Sequence, residues 1–241
     1  LADLLVRARS TNQRRIVADA IVAACNRAKD RNKAAIGVIT ALGETKDETV
    51  QCAIIDVLGR IGGPIALGAV VATTTTESRE VKRASFEALG SSSDPKAMVI
   101  LRAMVAKNGR SRSRGEAINA CVRRVISGDL APNKRFALLK ELAQLDPRGS
   151  GARSALAELQ WNPGPEALAM AVEWMKKTDR RKFGHASEYA ARAAVAIAPG
   201  MDANDSAQFQ TALAAVREAM TITKDEKTLT AAKAFLAKQG K

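Results

Sequence analysis

The chain contains few aromatic residues, few cysteines and a single histidine. Phe, Trp and Tyr make up 3% of its 241 residues, and there are three Cys and one His. β-Sandwiches and barrels need more aromatic and β-branched residues than this, and three scattered Cys exclude a disulfide scaffold. No apolar run reaches the roughly 18 residues that a membrane-spanning helix needs. Ser-His-acid or Cys-His catalysis and His-rich metal sites would all have to use the one His, so we expect no catalytic residue, cofactor or metal.

Alanine and positive charge are abundant instead. The 47 Ala indicate closely packed helices, and an apolar fraction of 46% excludes disorder. The 38 Lys and Arg outnumber the 25 Asp and Glu, which gives a net charge of +13. The chain begins with Leu1 rather than Met and carries no secretory signal, so we expect a processed protein or a fragment of a larger one. The sequence indicates no cell compartment.

One segment of the chain repeats at a fixed spacing. Residues 50–59 match residues 81–90, with Val, Ala, an acidic residue, Leu and Gly at the same relative positions. After each Gly the chain reaches a Pro, at Pro64 and Pro95. This pattern is typical of a helix that ends at Gly, a tight turn, and a next helix that begins near Pro. The Ala of the motif can be followed along the chain through Ala20, Ala53, Ala84, Ala117, Ala155, Ala193 and Ala232.

The repeat predicts about seven antiparallel pairs of helices in one array over residues 1–241. The first helices are expected near residues 1–9, 31–43, 64–75, 95–107, 132–145, 164–178 and 204–222. The second helices are expected near residues 12–28, 47–61, 78–90, 112–127, 150–160, 186–198 and 225–239. The expected N-caps are Asp47, Ser78, Asp94, Asn204 and Asp225. Pro and Gly cluster near residues 145–165, where the repeat lengthens and we expect an irregular joint.

The repeated spacing of small and apolar residues also resembles that of a known family. The first copy comprises Leu42-Gly43, Asp47, Val50, Ala53, Leu58-Gly59, Ile61-Gly62, Pro64 and Ala66-Leu67, and its echo comprises Val81, Ala84, Leu89-Gly90, Asp94-Pro95 and Ala97. This pattern resembles bacterial HEAT repeats. The resemblance implies an all-α fold, a right-handed α-solenoid of antiparallel helix pairs whose second helices line the concave side. It also implies recognition of a macromolecule along that side.

The basic residues are spread unevenly, and several on the predicted second helices share an offset from the repeated Ala. Residues at the same offset from the repeated Ala lie above one another in a stacked array, about 10 Å apart. We therefore expect a ridge of positive charge that attracts an anionic partner. The predicted partner-binding residues are Arg79, Lys82, Arg83, Arg112, Arg114, Arg123, Arg124, Arg153 and Arg192.

Two functions fit this ridge. The first is a non-catalytic scaffold that holds another protein or an acidic macromolecule. The second is a nucleic-acid binder that grips the duplex backbone, which needs no aromatic residues. Because stacking on single strands does need them, a DNA glycosylase of the HEAT-like type fits less well. The ridge could also be only a solvated face.

Residues that could suggest chemistry have structural explanations. We interpret His185 as a partly exposed residue at a helix start. Trp161 and Trp174 flank a Pro-rich turn, and we expect both to pack the joint between units. Three carboxylates recur at one offset, and each is interpreted as pairing with a neighbouring Arg or capping a loop N–H, namely Asp56, Glu87 and Glu158. The cysteines are interpreted as buried small apolar residues, namely Cys25, Cys52 and Cys121.

Overall fold

A computed structural model describes residues 2–8, 10–107, 111–128 and 130–239, so Leu1 lies outside the described part. These residues form fifteen α-helices and two short 3₁₀ turns, and no strand occurs among them. The chain divides into two compact units, Leu1–Ser127 and Gly128–Lys241. Within each unit the helices pair in antiparallel hairpins and the hairpins stack. The prediction of an all-α solenoid is therefore confirmed, whereas the single continuous array, its hand and the joint near 145–165 stay predictions.

Unit 1 (residues 1–127) contains four helix pairs. The first helices of these pairs are α1 (Ala2–Arg7), α3 (Arg31–Glu44), α5 (Gly63–Thr73) and α7 (Pro95–Lys107). The second helices are α2 (Thr11–Arg27), α4 (Glu48–Ile61), α6 (Arg79–Ser91) and α8 (Arg112–Ser127). Asp47 and Ser78 cap α4 and α6 as predicted, each accepting a hydrogen bond from the backbone N–H three residues later.

Unit 2 (residues 128–241) contains three helix pairs and one extra turn of helix. The first helices are α9 (Pro132–Leu145), α11 (Pro165–Met175) and α14 (Ser206–Ile222). The second helices are α10 (Ser150–Glu158), α13 (Ala186–Ile197) and α15 (Glu226–Gln239). The short helix α12 (Arg180–Phe183) lies in a connection that the sequence did not mark as helical. Asp225 accepts the Thr228 N–H as predicted, but Asp205 rather than Asn204 caps α14.

Glycine, not the repeated alanine, brings the second helices of unit 1 together. A Cβ on Gly59 would lie 2.8 Å from the Cβ and the carbonyl oxygen of Ala88, and one on Gly90 would lie 2.9 Å from the carbonyl oxygen of Ala120. The repeated alanine does not make these contacts, because Ala20 is exposed and Ala53 and Ala84 are half-buried. An alanine repeat is a poor marker of packing in a chain with so many alanines.

The buried positions also correct the repeat spacing. Six buried positions of α4 and α6 lie in the same order at a spacing of 31 residues, as in the pair Ile55 and Phe86. The buried residues of α8 follow those of α6 at 32 residues, as in Phe86 and Ile118. The repeated Ala had indicated 33 residues for this step. A difference of one residue turns a helix face by about 100°, so the assignment of the basic residues to columns changes with it.

Asp94 joins neighbouring helix pairs of unit 1. Its Oδ2 accepts a hydrogen bond from the Gly63 N–H at 2.8 Å, and its Oδ1 accepts one from the Lys96 N–H at 2.8 Å, so it also caps α7. Partial burial raises the pKa of this carboxyl, but the two backbone donors outweigh that effect and hold the pKa below its ordinary value. Gly62 and Gly63 adopt φ values of +66° and +81°, which side chains other than glycine rarely tolerate.

The core of unit 2 is built around one tryptophan. Trp174 on α11 is fully buried and meets Phe183 edge to face, with ring centroids 6.3 Å apart. Lys177 Nζ lies 5.1 Å from the Trp174 ring centre. Trp161 is instead 73% exposed on the 3₁₀ turn that follows α10. The prediction that both tryptophans pack a joint is therefore wrong for Trp161.

Candidate partner-binding surface

The predicted basic residues divide between the two units. Seven of them lie on the adjacent helices α6 and α8 of unit 1, namely Arg79, Lys82, Arg83, Arg112, Arg114, Arg123 and Arg124. The other two lie in unit 2, Arg153 on α10 and Arg192 on α13. Because α6 and α8 pack directly against each other, we name the exposed side chains of these two helices the α6–α8 surface.

Three of these arginines are exposed and are not held by a carboxylate. Arg79, Arg123 and Arg153 make no ion pair within the part of the chain that the structure describes. Their guanidinium groups, each fixed in charge at neutral pH, are available to an external anion.

Three others already contact a carboxylate. Arg83 Nε lies 3.9 Å from Glu87 Oε1, and Arg112 Nε lies 3.1 Å from Glu116 Oε1, each one helical turn along. In unit 2, Arg192 lies 3.7 Å from Asp225 Oδ1. All three arginines are at least half exposed, so these ion pairs contribute little to stability. A competing anion can therefore take the place of the internal carboxylate.

The remaining residues are partly buried. Arg124 donates a hydrogen bond to the backbone carbonyl of Asp94 at 2.7 Å, and desolvation lowers the pKa of its guanidinium. It is thus engaged inside unit 1, where it ties α8 to the turn before α7. Lys82 and Arg114 are half-buried. With the corrected spacing of 32 residues, Lys82 of α6 and Arg114 of α8 occupy equivalent positions. Arg112 is equivalent to Glu80 rather than to Arg79.

The surface is positive without being uniformly so. Its seven basic residues stand among three carboxylates, Glu80, Glu87 and Glu116. Unit 1 carries 21 Lys and Arg against 12 Asp and Glu, and unit 2 carries 17 against 13. The contact of Arg83 with Glu87 agrees with the interpretation of Glu87 as a member of a local ion pair. Sequence reasoning missed Glu116, although its spacing of four residues after Arg112 is the usual signal for a helical ion pair.

Comparison with known families assigns the repeated part of unit 1. The family model of HEAT repeats matches residues 37–122, which span α3 to α8. Residues 37–122 are therefore similar to HEAT repeats. HEAT repeats are generally protein-interaction scaffolds and are typically not enzymatic. Neither the curated proteins nor the solved structures contain a match to the chain.

The residues that the sequence analysis considered for chemistry lie in local contacts. His185 is exposed at the start of α13, with its Nδ1 3.2 Å from Glu188 Oε2, as its interpretation predicts. Asp56 lies 3.6 Å from Arg60, and burial raises the pKa of Glu158. Within the described part, no group of three His, Cys, Asp or Glu could hold a metal ion, and no helix is long and apolar enough to cross a membrane.

The three cysteines are unpaired with one another. Cys25 and Cys121 are buried, and Cys52 is half-buried. Burial raises the pKa of the Cys25 and Cys52 thiols, which disfavours the nucleophilic thiolate at neutral pH. This agrees with their interpretation as small apolar residues.

Proposed function

We propose that this chain is an interaction scaffold whose α6–α8 surface binds an acidic segment of another protein. The observation that carries this proposal is the pair of exposed arginines without an internal partner, Arg79 and Arg123, which stand at opposite ends of adjacent HEAT second helices. Arg83 and Arg112 lie between these ends and exchange their weak internal pairs for carboxylates of the partner.

The chemistry of the surface favours a protein over a nucleic acid. Duplex DNA presents a negative charge about every 1.7 Å along its axis, and such a backbone would also approach Glu80, Glu87 and Glu116. A polypeptide can place carboxylates opposite the arginines and neutral or basic residues opposite the glutamates. Aromatic residues that could stack on bases are absent from the exposed part of α6 and α8.

The test compares one acidic probe with one nucleic-acid probe. Binding of a fluorescent peptide that alternates Glu and Gly, and of a random duplex DNA, is measured with the full chain at low and at physiological salt. We expect the peptide to bind and its affinity to fall with salt. The Arg79→Glu/Arg123→Glu variant is expected to lose about tenfold in affinity, since each exposed pair contributes up to about 1 kcal/mol.

A matched control variant and two possible outcomes test whether the α6–α8 surface binds the acidic peptide. Lys233→Glu/Lys238→Glu reverses two positive charges, as the test variant does, at exposed positions of α15 and is expected to leave peptide affinity unchanged. Equal losses in this control would mean that only the net charge matters, which would refute a defined surface. Tight duplex binding with a steep salt dependence would favour the nucleic-acid alternative instead.

A further inference from the structure

Beyond the first helix pair, where α2 exposes Ile16, the two sides of unit 1 expose different chemistry. Among the described residues, the second helices α4, α6 and α8 expose no large apolar side chain. The first helices α3, α5 and α7 expose one each: Ile36 is 50% exposed, Ile65 44% and Val99 68%. Scattered exposed apolar residues are normal on proteins, whereas a contiguous group of them marks a contact surface. The question is therefore whether these three lie together.

The buried residues of the first helices give the register that relates these three positions. Ala35, Ala66 and Ala97 are fully buried and follow one another at 31 residues, so they occupy the same place on α3, α5 and α7. Two residues after each buried Ala stands an exposed residue, respectively Gly37, Gly68 and Val99. Because α5 packs against both α3 and α7, these positions lie side by side. Ile36 adjoins the first of them, and Ile65 lies one turn before the second.

The two glycines on this side have no internal explanation. A Cβ on Gly37 or Gly68 would meet nothing within 4 Å, in contrast to Gly59 and Gly90, where it would meet the neighbouring helix. A glycine inside a helix costs about 1 kcal/mol relative to alanine. What an exposed helical glycine offers in return is access, since a foreign backbone can approach it closely.

The charges around the apolar residues are mainly positive. Helix α5 carries no charged residue, and Lys96 and Arg102 stand one turn before and one turn after Val99. Helices α3 and α7 carry five basic residues, namely Arg31, Lys33, Lys96, Arg102 and Lys107. Their one carboxylate, Glu44, lines a small pocket with Arg7 on the α1 side of α3. The N-cap carboxylates before these helices, Asp30 and Asp94, accept backbone N–H groups.

We propose that α3, α5 and α7 dock an amphipathic helix of a partner protein. Its apolar stripe would pack on Ile36, Ile65 and Val99, and its backbone would pass over Gly37 and Gly68. Acidic side chains on the borders of the stripe would face the lysines and arginines of α3 and α7. Three neighbouring helices about 10 Å apart span roughly 20 Å, which about 13 residues of helix cover. This surface is separate from the α6–α8 surface and does not depend on its function.

The probe for this proposal is a displayed library of 18-residue helical peptides. The library fixes leucines at helical spacing and randomises the bordering positions. Selection uses the full chain, with removal of peptides that also bind the Gly68→Arg/Val99→Glu variant. We expect the selected peptides to be enriched in Asp and Glu at the borders, and to protect the amides of α3, α5 and α7 from hydrogen exchange.

Alanine substitutions separate docking from folding. Gly37→Ala and Gly68→Ala are expected to raise the thermal midpoint, because alanine favours the helix, yet to weaken peptide binding at least tenfold because each Cβ blocks the approach. Gly43→Ala, an open glycine six residues after Gly37, is expected to leave binding unchanged. Unchanged binding in Gly68→Ala, selected peptides with basic borders, or no discriminating peptide would overturn the proposal. A dimer that Val99→Glu dissociates would replace the partner helix with a second copy of this chain.

Discussion

The close contact of Gly59 with Ala88 predicts that a single added methyl group destabilises unit 1. In an open helix, Gly→Ala stabilises by about 1 kcal/mol. At Gly59 the new Cβ would lie 2.8 Å from both the Cβ and the carbonyl oxygen of Ala88. Neither atom is the end of a flexible side chain, so α4 and α6 would have to move apart, and overpacking of this kind costs about 1–3 kcal/mol.

The change in stability is the overpacking cost minus the gain in helix propensity. We expect Gly59→Ala to destabilise by up to about 2 kcal/mol, and Gly68→Ala, where a Cβ meets nothing, to stabilise by about 1 kcal/mol. For a protein of this size each kcal/mol shifts the thermal midpoint by roughly 2–4 °C. The two variants therefore move the midpoint in opposite directions although the substitution is the same. Far-UV circular dichroism during heating and urea unfolding measure both.

A double variant tests whether the contact itself is responsible. Ala88→Gly removes the Cβ that Gly59→Ala would strike, but the carbonyl oxygen of residue 88 stays at the same place. We expect Gly59→Ala/Ala88→Gly to recover only part of the lost stability relative to the sum of the single variants. A Gly59→Ala protein as stable as the Gly68→Ala protein would refute the claim that glycine sets the spacing of the second helices.

Three further results are expected. Asp94→Ala removes the acceptor of the Gly63 N–H and the cap of α7, and should cost about 1–2 kcal/mol in urea unfolding. Because the pKa of Asp94 is lowered on folding, its contribution is complete above the ordinary value of 3.8 and is lost as the pH falls below it, so wild type should approach Asp94→Ala in stability under acid conditions. Trp174→Ala should cost about 3–5 kcal/mol, whereas Trp161→Ala should change stability by less than about 0.5 kcal/mol; equal losses would contradict their assigned burial.

The helices were predictable because their signals are local. Pro64, Pro95 and the capping residues Asp47 and Ser78 mark ends that depend only on the nearest few residues. The one short helix that was missed, α12, has no such repeat to mark it. Its start is set by Asp179, whose carboxylate accepts the Arg181 N–H at 2.9 Å.

The packing register and the charge pattern were less predictable because they depend on which helix face is buried. In α8 both Ala117 and Ala120 are fully buried and available as the repeated alanine, and only the packing of α6 against α8 decides that Ala120 contacts Gly90. The tryptophans illustrate the same limit. Trp174 continues the buried face of α11 from Ala167 and Ala171 at helical spacing, a signal that was present in the sequence, whereas Trp161 follows the end of α10 and has no such face.

Glycine occurs in the helix pairs of unit 1 for three different reasons, and one of them bears on the proposed docking surface. At Gly59 and Gly90 it makes room for a neighbouring helix, and at Gly62 it permits a positive φ. At Gly37 and Gly68 neither reason applies, although each lowers helix stability. Sequence alone cannot separate these cases, since glycines of all three kinds stand within or beside helices of the same array. What separates them is the set of atoms that a Cβ would meet: a Cβ meets nothing at Gly37, Gly43 and Gly68, of which Gly37 and Gly68 lie at equivalent positions of α3 and α5 on the apolar face of unit 1.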